Sequence, residues 1–176
     1  EQVMSDFIFR HNENFVGRDE SLKQLIDFAC EKKTKVLTGF SGCGKSSVMC
    51  QLYNLLQSEG RVVLFHSAGV TQASMNVDKM LQRWSRQLCL ILGMEYQEIK
   101  AETIEEQSVN LGQNEKKSFS DQVKDQFYSL AYDARMQGKD IVILMDALDR
   151  FPQSNTTQYL QFLPPEVSSI ITSLPD

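Results

Sequence analysis

No run of this chain approaches the roughly 18 apolar residues that a membrane span requires, and Ile141–Met145 is among the longest. The opening residues Glu1–Asp6 lack the basic and apolar regions of a signal peptide. Positive charge is scarce too: 18 Lys and Arg stand against 23 Asp and Glu, for a formal net charge of −5. Coating nucleic acid needs a basic excess, so neither nucleic acid nor membrane is an expected partner. Cysteine is limited to Cys30, Cys43, Cys50 and Cys89, with no CxxC spacing, and histidine to His11 and His66. Neither histidine has a cysteine or acidic partner at ligand spacing, which argues against a zinc site. The cysteines read as reduced thiols of a cytoplasmic protein.

What remains is ordinary globular material. The chain has 176 residues, 41% hydrophobic and 23% charged, enough for one domain with a real core. Four β-rich runs stand out, at Lys35–Phe40, Val62–His66, Ile141–Asp146 and Ser169–Ser173. The second and third are nearly continuous apolar runs, as in strands buried on both faces of a parallel sheet. Helical patterns at Asp19–Lys32, Lys45–Gln57, Val77–Leu92 and Phe119–Gln137 separate them. Gly60 and Gly138 suit the left-handed position that closes a helix. This alternation predicts an α/β fold with a mainly parallel sheet. Residues 1–34 read as an N-terminal segment and helix leading into a core at 35–176. Within that core, 95–117 is a polar, glutamate-rich insertion, either a solvated connection or a partner-contact segment.

The run Gly39-Phe40-Ser41-Gly42-Cys43-Gly44-Lys45-Ser46 matches G-x-x-x-x-G-K-[ST]. Background frequencies give such a match by chance in about 1 of 200 chains this long. The β-run before it and the helix after it are the setting in which the pattern holds a nucleoside triphosphate. Glycines at 39, 42 and 44 allow the backbone to turn amides inward around phosphate oxygens. The helix opening at Lys45, with Ser46 and Ser47 in its first turn, directs its positive end to the same place. Lys45 adds a full charge at the β- and γ-phosphates, and Ser46 is suited to ligate Mg²⁺. Ser41 and Cys43 contribute as small loop residues; a reactive thiol is the alternative for Cys43.

Ile141–Asp146 is a buried strand ending in a carboxylate, the pattern of the aspartate that holds Mg²⁺ directly or through water. Asp149 is placed to polarise an attacking water; a helix cap or a partner for Arg150 is the alternative. Thr172 and Ser173, ending the fourth run, offer a hydroxyl to sense the γ-phosphate or to bond local backbone. His66 and Trp84 read as packed core residues.

Together these features resemble the STAND class of P-loop ATPases, near its NACHT branch. The resemblance rests on Phe15-Val16-Gly17-Arg18-Asp19-Glu20, on Gly39–Ser46, on Asp146-Ala147-Leu148-Asp149-Arg150 and on Ile170-Ile171-Thr172-Ser173. It implies a three-layer P-loop sandwich that binds ATP or ADP with Mg²⁺. It implies that Val16, Gly17 and Arg18 pack on the adenine side, that Asp146 and Asp149 serve Mg²⁺ and water, and that Thr172 acts as a sensor. It further implies an excised core, truncated after the fourth strand, of a longer signalling or defence protein that oligomerises with nucleotide. Leu174 stands where the class often has arginine, and Asp149-Arg150 where acidic pairs are common, so slow hydrolysis is expected. A P-loop kinase is the enzymatic alternative, but no arginine-rich lid is evident. A GTPase would need an Asn/Thr-Lys-x-Asp run, which is missing. A scaffold that binds nucleotide without hydrolysing it is the third reading.

Overall fold

The computed structural model describes residues 2–13, 15–100, 118–152 and 163–175. They form two compact units, residues 1–76 with 138–176 and residues 77–137. Most of the polar insertion at 95–117 lies outside the described residues.

The first unit runs α1 (Gln2–Asn12), α2 (Asp19–Phe28), β1 (Thr34–Thr38), α3 (Lys45–Ser58), β2 (Val62–Ser67), β3 (Ile141–Asp146) and β4 (Ser168–Ser173). Short 3-10 turns follow β2 at Gln72–Met75 and β3 at Leu148–Arg150. The four strands form one sheet, all parallel, in the order β1-β4-β3-β2. The fold is α/β with a parallel sheet and helices, as in a P-loop-type sandwich. β3 is buried throughout and β2 almost so, as their apolar runs predict. β1 lies at the sheet edge with Val36 exposed.

Side-chain alternation sorts the strands into two faces. Val63, Phe65, Val142, Leu144 and Ile170 share a core with Met4 and Ile8 of α1, Leu22 and Leu25 of α2, and Val48, Leu52 and Leu56 of α3. Two residues further along β2, β3 and β4 on that same face stand Ser67, Asp146 and Thr172. The face that α3 packs on therefore ends in one carboxylate and two hydroxyls.

Two boundaries differ from the sequence reading for identifiable reasons. The second helix was expected to reach Lys32 but ends at Phe28. There the Ser168 hydroxyl of β4 donates to Ala29 O at 2.6 Å and accepts from Lys32 N at 3.0 Å, with Lys32 in the left-handed region at φ 51°. A side chain from a distant strand thus takes over the helix's last turn. The first strand was expected to reach Phe40 but ends at Thr38. The carbonyls of Gly39 and Phe40 are taken by the Lys45 ammonium instead of a strand partner.

The second unit contains α4 (Val77–Leu92) and α5 (Phe119–Met136). α5 is capped by Ser118, whose hydroxyl accepts from Asp121 N at 3.1 Å. Ser120 donates to Asp78 at 2.9 Å near both N-termini, and Trp84 meets Phe127 at 5.7 Å between ring centroids further along. The two helices are therefore parallel. A parallel pair needs a connection that runs back along the helix, about 24 Å for a helix of α4's length. That accounts for the long polar stretch between them. At its start, Gln82 donates to Ile99 O at 2.9 Å and Gln126 to Gln97 O at 2.7 Å.

Candidate functional site

The loop between β1 and α3 is set by its glycines. Gly42 and Gly44 have φ of 78° and 89°, in the left-handed region where other residues are strained. A Cβ on Gly39 would come within 2.9 Å of Cys43 Sγ. The backbone can therefore fold closely here only with glycine at these positions. α3 then begins without a side-chain cap and without an acidic residue in its first turn. Its first backbone bond runs from Val48 N to Gly44 O at 3.0 Å, so the amides of Lys45, Ser46 and Ser47 point out of the helix end. By contrast, α2 has Asp19 and Glu20 in its first turn, and α5 has Asp121 beside its Ser118 cap. Unlike those of α2 and α5, the positive end of α3 is left open to an external anion.

Two cations attend the loop. The Lys45 ammonium donates to Gly39 O and, at 3.0 Å, to Phe40 O, and lies 4.0 Å from Cys43 Sγ. The Arg18 guanidinium donates to Cys43 O, and a Cβ on Gly44 would meet it at 3.4 Å. Arg18 thus stands over the glycine loop itself. Gly17 and Arg18 both have positive φ, at 78° and 63°, and Val16 is 89% exposed. Of the Val16-Gly17-Arg18 motif, only the arginine side chain is brought to the loop.

At the same C-terminal end of the parallel sheet, Asp146 is 2% exposed. Its Oδ1 accepts from Thr172 Oγ1 at 2.7 Å and its Oδ2 from Ser67 Oγ at 2.9 Å. Thr172 also accepts from Ala147 N at 2.8 Å, holding the left-handed turn at φ 59° that ends β3. The single proton of Thr172 is therefore given to Asp146. Asp149, exposed on the following turn, accepts from Leu174 N at 3.1 Å. Arg150 folds over Gly69, where a Cβ would lie 2.7 Å from its Cδ. No Lys, Arg or His pairs with Asp146 among the described residues. A buried carboxylate with hydroxyl donors and no cation is suited to hold one. No group of three His, Cys, Asp or Glu side chains converges among the described residues. A cation at Asp146 would take its other ligands from hydroxyls such as that of Ser46 and from a bound anion.

Ser67 is the site residue that the sequence reading missed, since that reading ended the strand at His66. The two point to opposite faces. His66, 3% exposed, bonds Ser74 O through Nε2 at 2.7 Å and stacks on Phe151, whereas Ser67 reaches Asp146. The available signal was a small hydroxyl residue directly after a buried run, level with the end of the acidic strand.

A family model described as Nephrocystin 3, N-terminal matches residues 14–173. The chain belongs to that family. The matched span takes in Val16–Arg18, Gly39–Ser46, Asp146, Asp149 and Thr172. Neither the search of curated proteins nor that of solved structures returns a match.

All four cysteines are free. Cys50 stands one turn beyond Ser46 on α3, fully buried. Its thiol is pushed up from 9.0 to about 12, by burial first and then by the negative charge of Asp146. That charge acts on the flank of α3 that Ser46 shares, because residues four apart lie on one helix face. The effect gives a measurable sign. The folded pKa is raised, so the folded protein keeps a proton that the unfolded chain releases. This contribution is fully present below pH 9 and is lost as pH rises toward 12. Stability should fall by up to about 1.4 kcal/mol per pH unit in that window from this group alone. Urea unfolding of the parent and Cys50→Ala across pH 8–11 measures it, the difference in slope removing the other groups. Equal slopes would refute the assignment.

Proposed function

We propose that this chain is the ATP- and Mg²⁺-binding core of a STAND-class, NACHT-like nucleotide-operated switch. The observation that carries the reading is a pairing on one sheet face. The uncapped positive end of α3, with Lys45, and the buried Asp146, which pairs with no Lys, Arg or His among the described residues, lie at the same C-terminal end of the parallel sheet. An anion site beside a divalent-cation site is what a magnesium nucleotide requires. The glycine cradle and the donor set fit both groups.

In this reading the amides of Gly42–Ser47 and the Lys45 ammonium bind the phosphates. Ser46 and Asp146 hold the cation, which when bound neutralises charge on the phosphate oxygens. Arg18 adds positive charge at the loop, and the exposed backbone at Val16-Gly17 is available to the base. Asp149 orients a water, and the sensing expected of Thr172 acts through its bond to Asp146. Position 174, directly after β4, is leucine and not an arginine that could stabilise the transferring phosphoryl group, and such a residue is worth about 10³–10⁵ in rate. Turnover is therefore slow, and the nucleotide serves to set a conformational state. The reading extends to nucleotide-dependent self-association of a longer cytoplasmic protein in signalling or defence.

The test is a calorimetric competition of MgATP with MgGTP on the chain, together with phosphate release. The expected result is preference for ATP with turnover well below one per second. Tighter GTP binding would overturn the class, and turnover of several per second would favour a self-sufficient enzyme over a switch.

A further inference from the structure

We propose that Ser67 is a positioning residue of this site: its hydroxyl fixes the orientation of the Asp146 carboxylate and so sets how tightly a divalent cation is held. The inference rests on the nucleotide reading above and adds to it a residue outside every motif named so far.

The geometry is a two-point clamp. β3 lies between β2 and β4, and Ser67 is level with Asp146 in the register of β2 and β3. Each neighbouring strand sends one hydroxyl to a different oxygen of the carboxylate, Thr172 to Oδ1 at 2.7 Å and Ser67 to Oδ2 at 2.9 Å. The terminal torsion of an aspartate is soft and nearly two-fold, so one hydrogen bond leaves the plane free to turn. Two bonds from opposite sides fix that plane across the sheet. A carboxylate offers about four acceptor positions, so both oxygens keep capacity for a cation after accepting these bonds.

The two hydroxyls differ in what else they do. Thr172 also accepts the Ala147 amide and so helps hold the turn after β3. Ser67, 2% exposed, makes its side-chain bond to Asp146 alone. Its removal should act on the carboxylate and spare the turn. Groups that orient a metal ligand from the next shell typically change metal affinity 10- to 100-fold when removed.

The experiment compares the chain with Ser67→Ala and Ser67→Thr. It measures Mg²⁺ affinity by calorimetric titration into protein with saturating ATP, ATP affinity in EDTA, and the melting temperature without ligand. The expected result for Ser67→Ala is a 10- to 100-fold loss in Mg²⁺ affinity, with metal-free ATP affinity within about threefold of the parent. Ser67→Thr, which keeps the hydroxyl, should restore the Mg²⁺ response. A merely structural serine would lower melting temperature and weaken both forms of ATP equally, which would overturn the proposal, as would unchanged Mg²⁺ affinity. Should Ser67→Ala not fold, Ser67→Cys, close in shape but a weak donor, should show the same selective loss. A parent chain that takes neither MgATP nor ATP would overturn the nucleotide reading and this inference with it. A parent that binds both, beside a Ser67→Ala variant with full Mg²⁺ dependence, would overturn the inference alone.

Discussion

Lys45→Ala is expected to weaken MgATP binding by about 30- to 4,000-fold while leaving the fold intact. The range follows from a charge-paired contact worth about 2–5 kcal/mol. The fold should tolerate the change because of what the ammonium touches. Its partners are the carbonyls of Gly39 and Phe40, and Phe40 is 80% exposed, so water can replace the lost donor there. No strand or helix bond depends on it. In the proposed nucleotide complex the phosphates would have no such replacement, since the remaining donors at the loop are amides and Arg18. Calorimetry with MgATP, beside thermal melts of both proteins, makes the measurement. Unchanged affinity in a folded variant would show that the loop is not the phosphate site.

Trp84→Ala is expected to cost about 3–5 kcal/mol, the usual range for removing a buried tryptophan. Trp84 is 0% exposed and lies 5.7 Å from Phe127, where α4 meets α5. A domain's whole stability is of order 5–15 kcal/mol, so this one change should bring residues 77–137 close to unfolding. Trp84→Phe keeps the ring contact and should cost much less. The chain has a single tryptophan, so far-UV circular dichroism in urea is the suitable probe. A loss under 1 kcal/mol would mean that the pairing of α4 and α5 does not depend on this contact.

The features legible in the sequence are those whose cause is local. β3 begins and ends where its apolar run does, and α4 spans the expected Val77–Leu92. The glycine loop between β1 and α3 could be read because its requirements, small residues and a lysine at a helix start, are met within eight neighbouring positions. What escaped was set by partners far along the chain. The end of α2 depends on Ser168, which bonds Ala29 across 139 positions. Ser67 acquires its role only through a register that places it beside Asp146, 79 positions away. Arg18 was legible as part of a motif, but its reach to the Cys43 carbonyl depends on how the left-handed turn at Gly17-Arg18 aims it. The helix at Gln2–Asn12 is a different case. Its Met4 and Ile8 are spaced for one helical face and both enter the core, so the signal was present and short.

The place of β4 in the sheet has a kinetic consequence. It is the last of the described strands in chain order and it lies between β1 and β3. Until it docks, β1 has no strand neighbour among the described residues and β2 with β3 forms a separate pair. Parallel pairings between distant segments form late, because the entropy of closing a long loop precedes any gain from contact. Docking of β4 joins the two parts, brings Thr172 to Asp146 and delivers Ser168 to the end of α2 in one event. The same event covers the open side of β3, which in an unfinished chain is an unpaired apolar edge of the kind that recruits other chains. Completion of the carboxylate end of the sheet and escape from aggregation are thus one folding step, governed by the arrival of Ser168–Ser173.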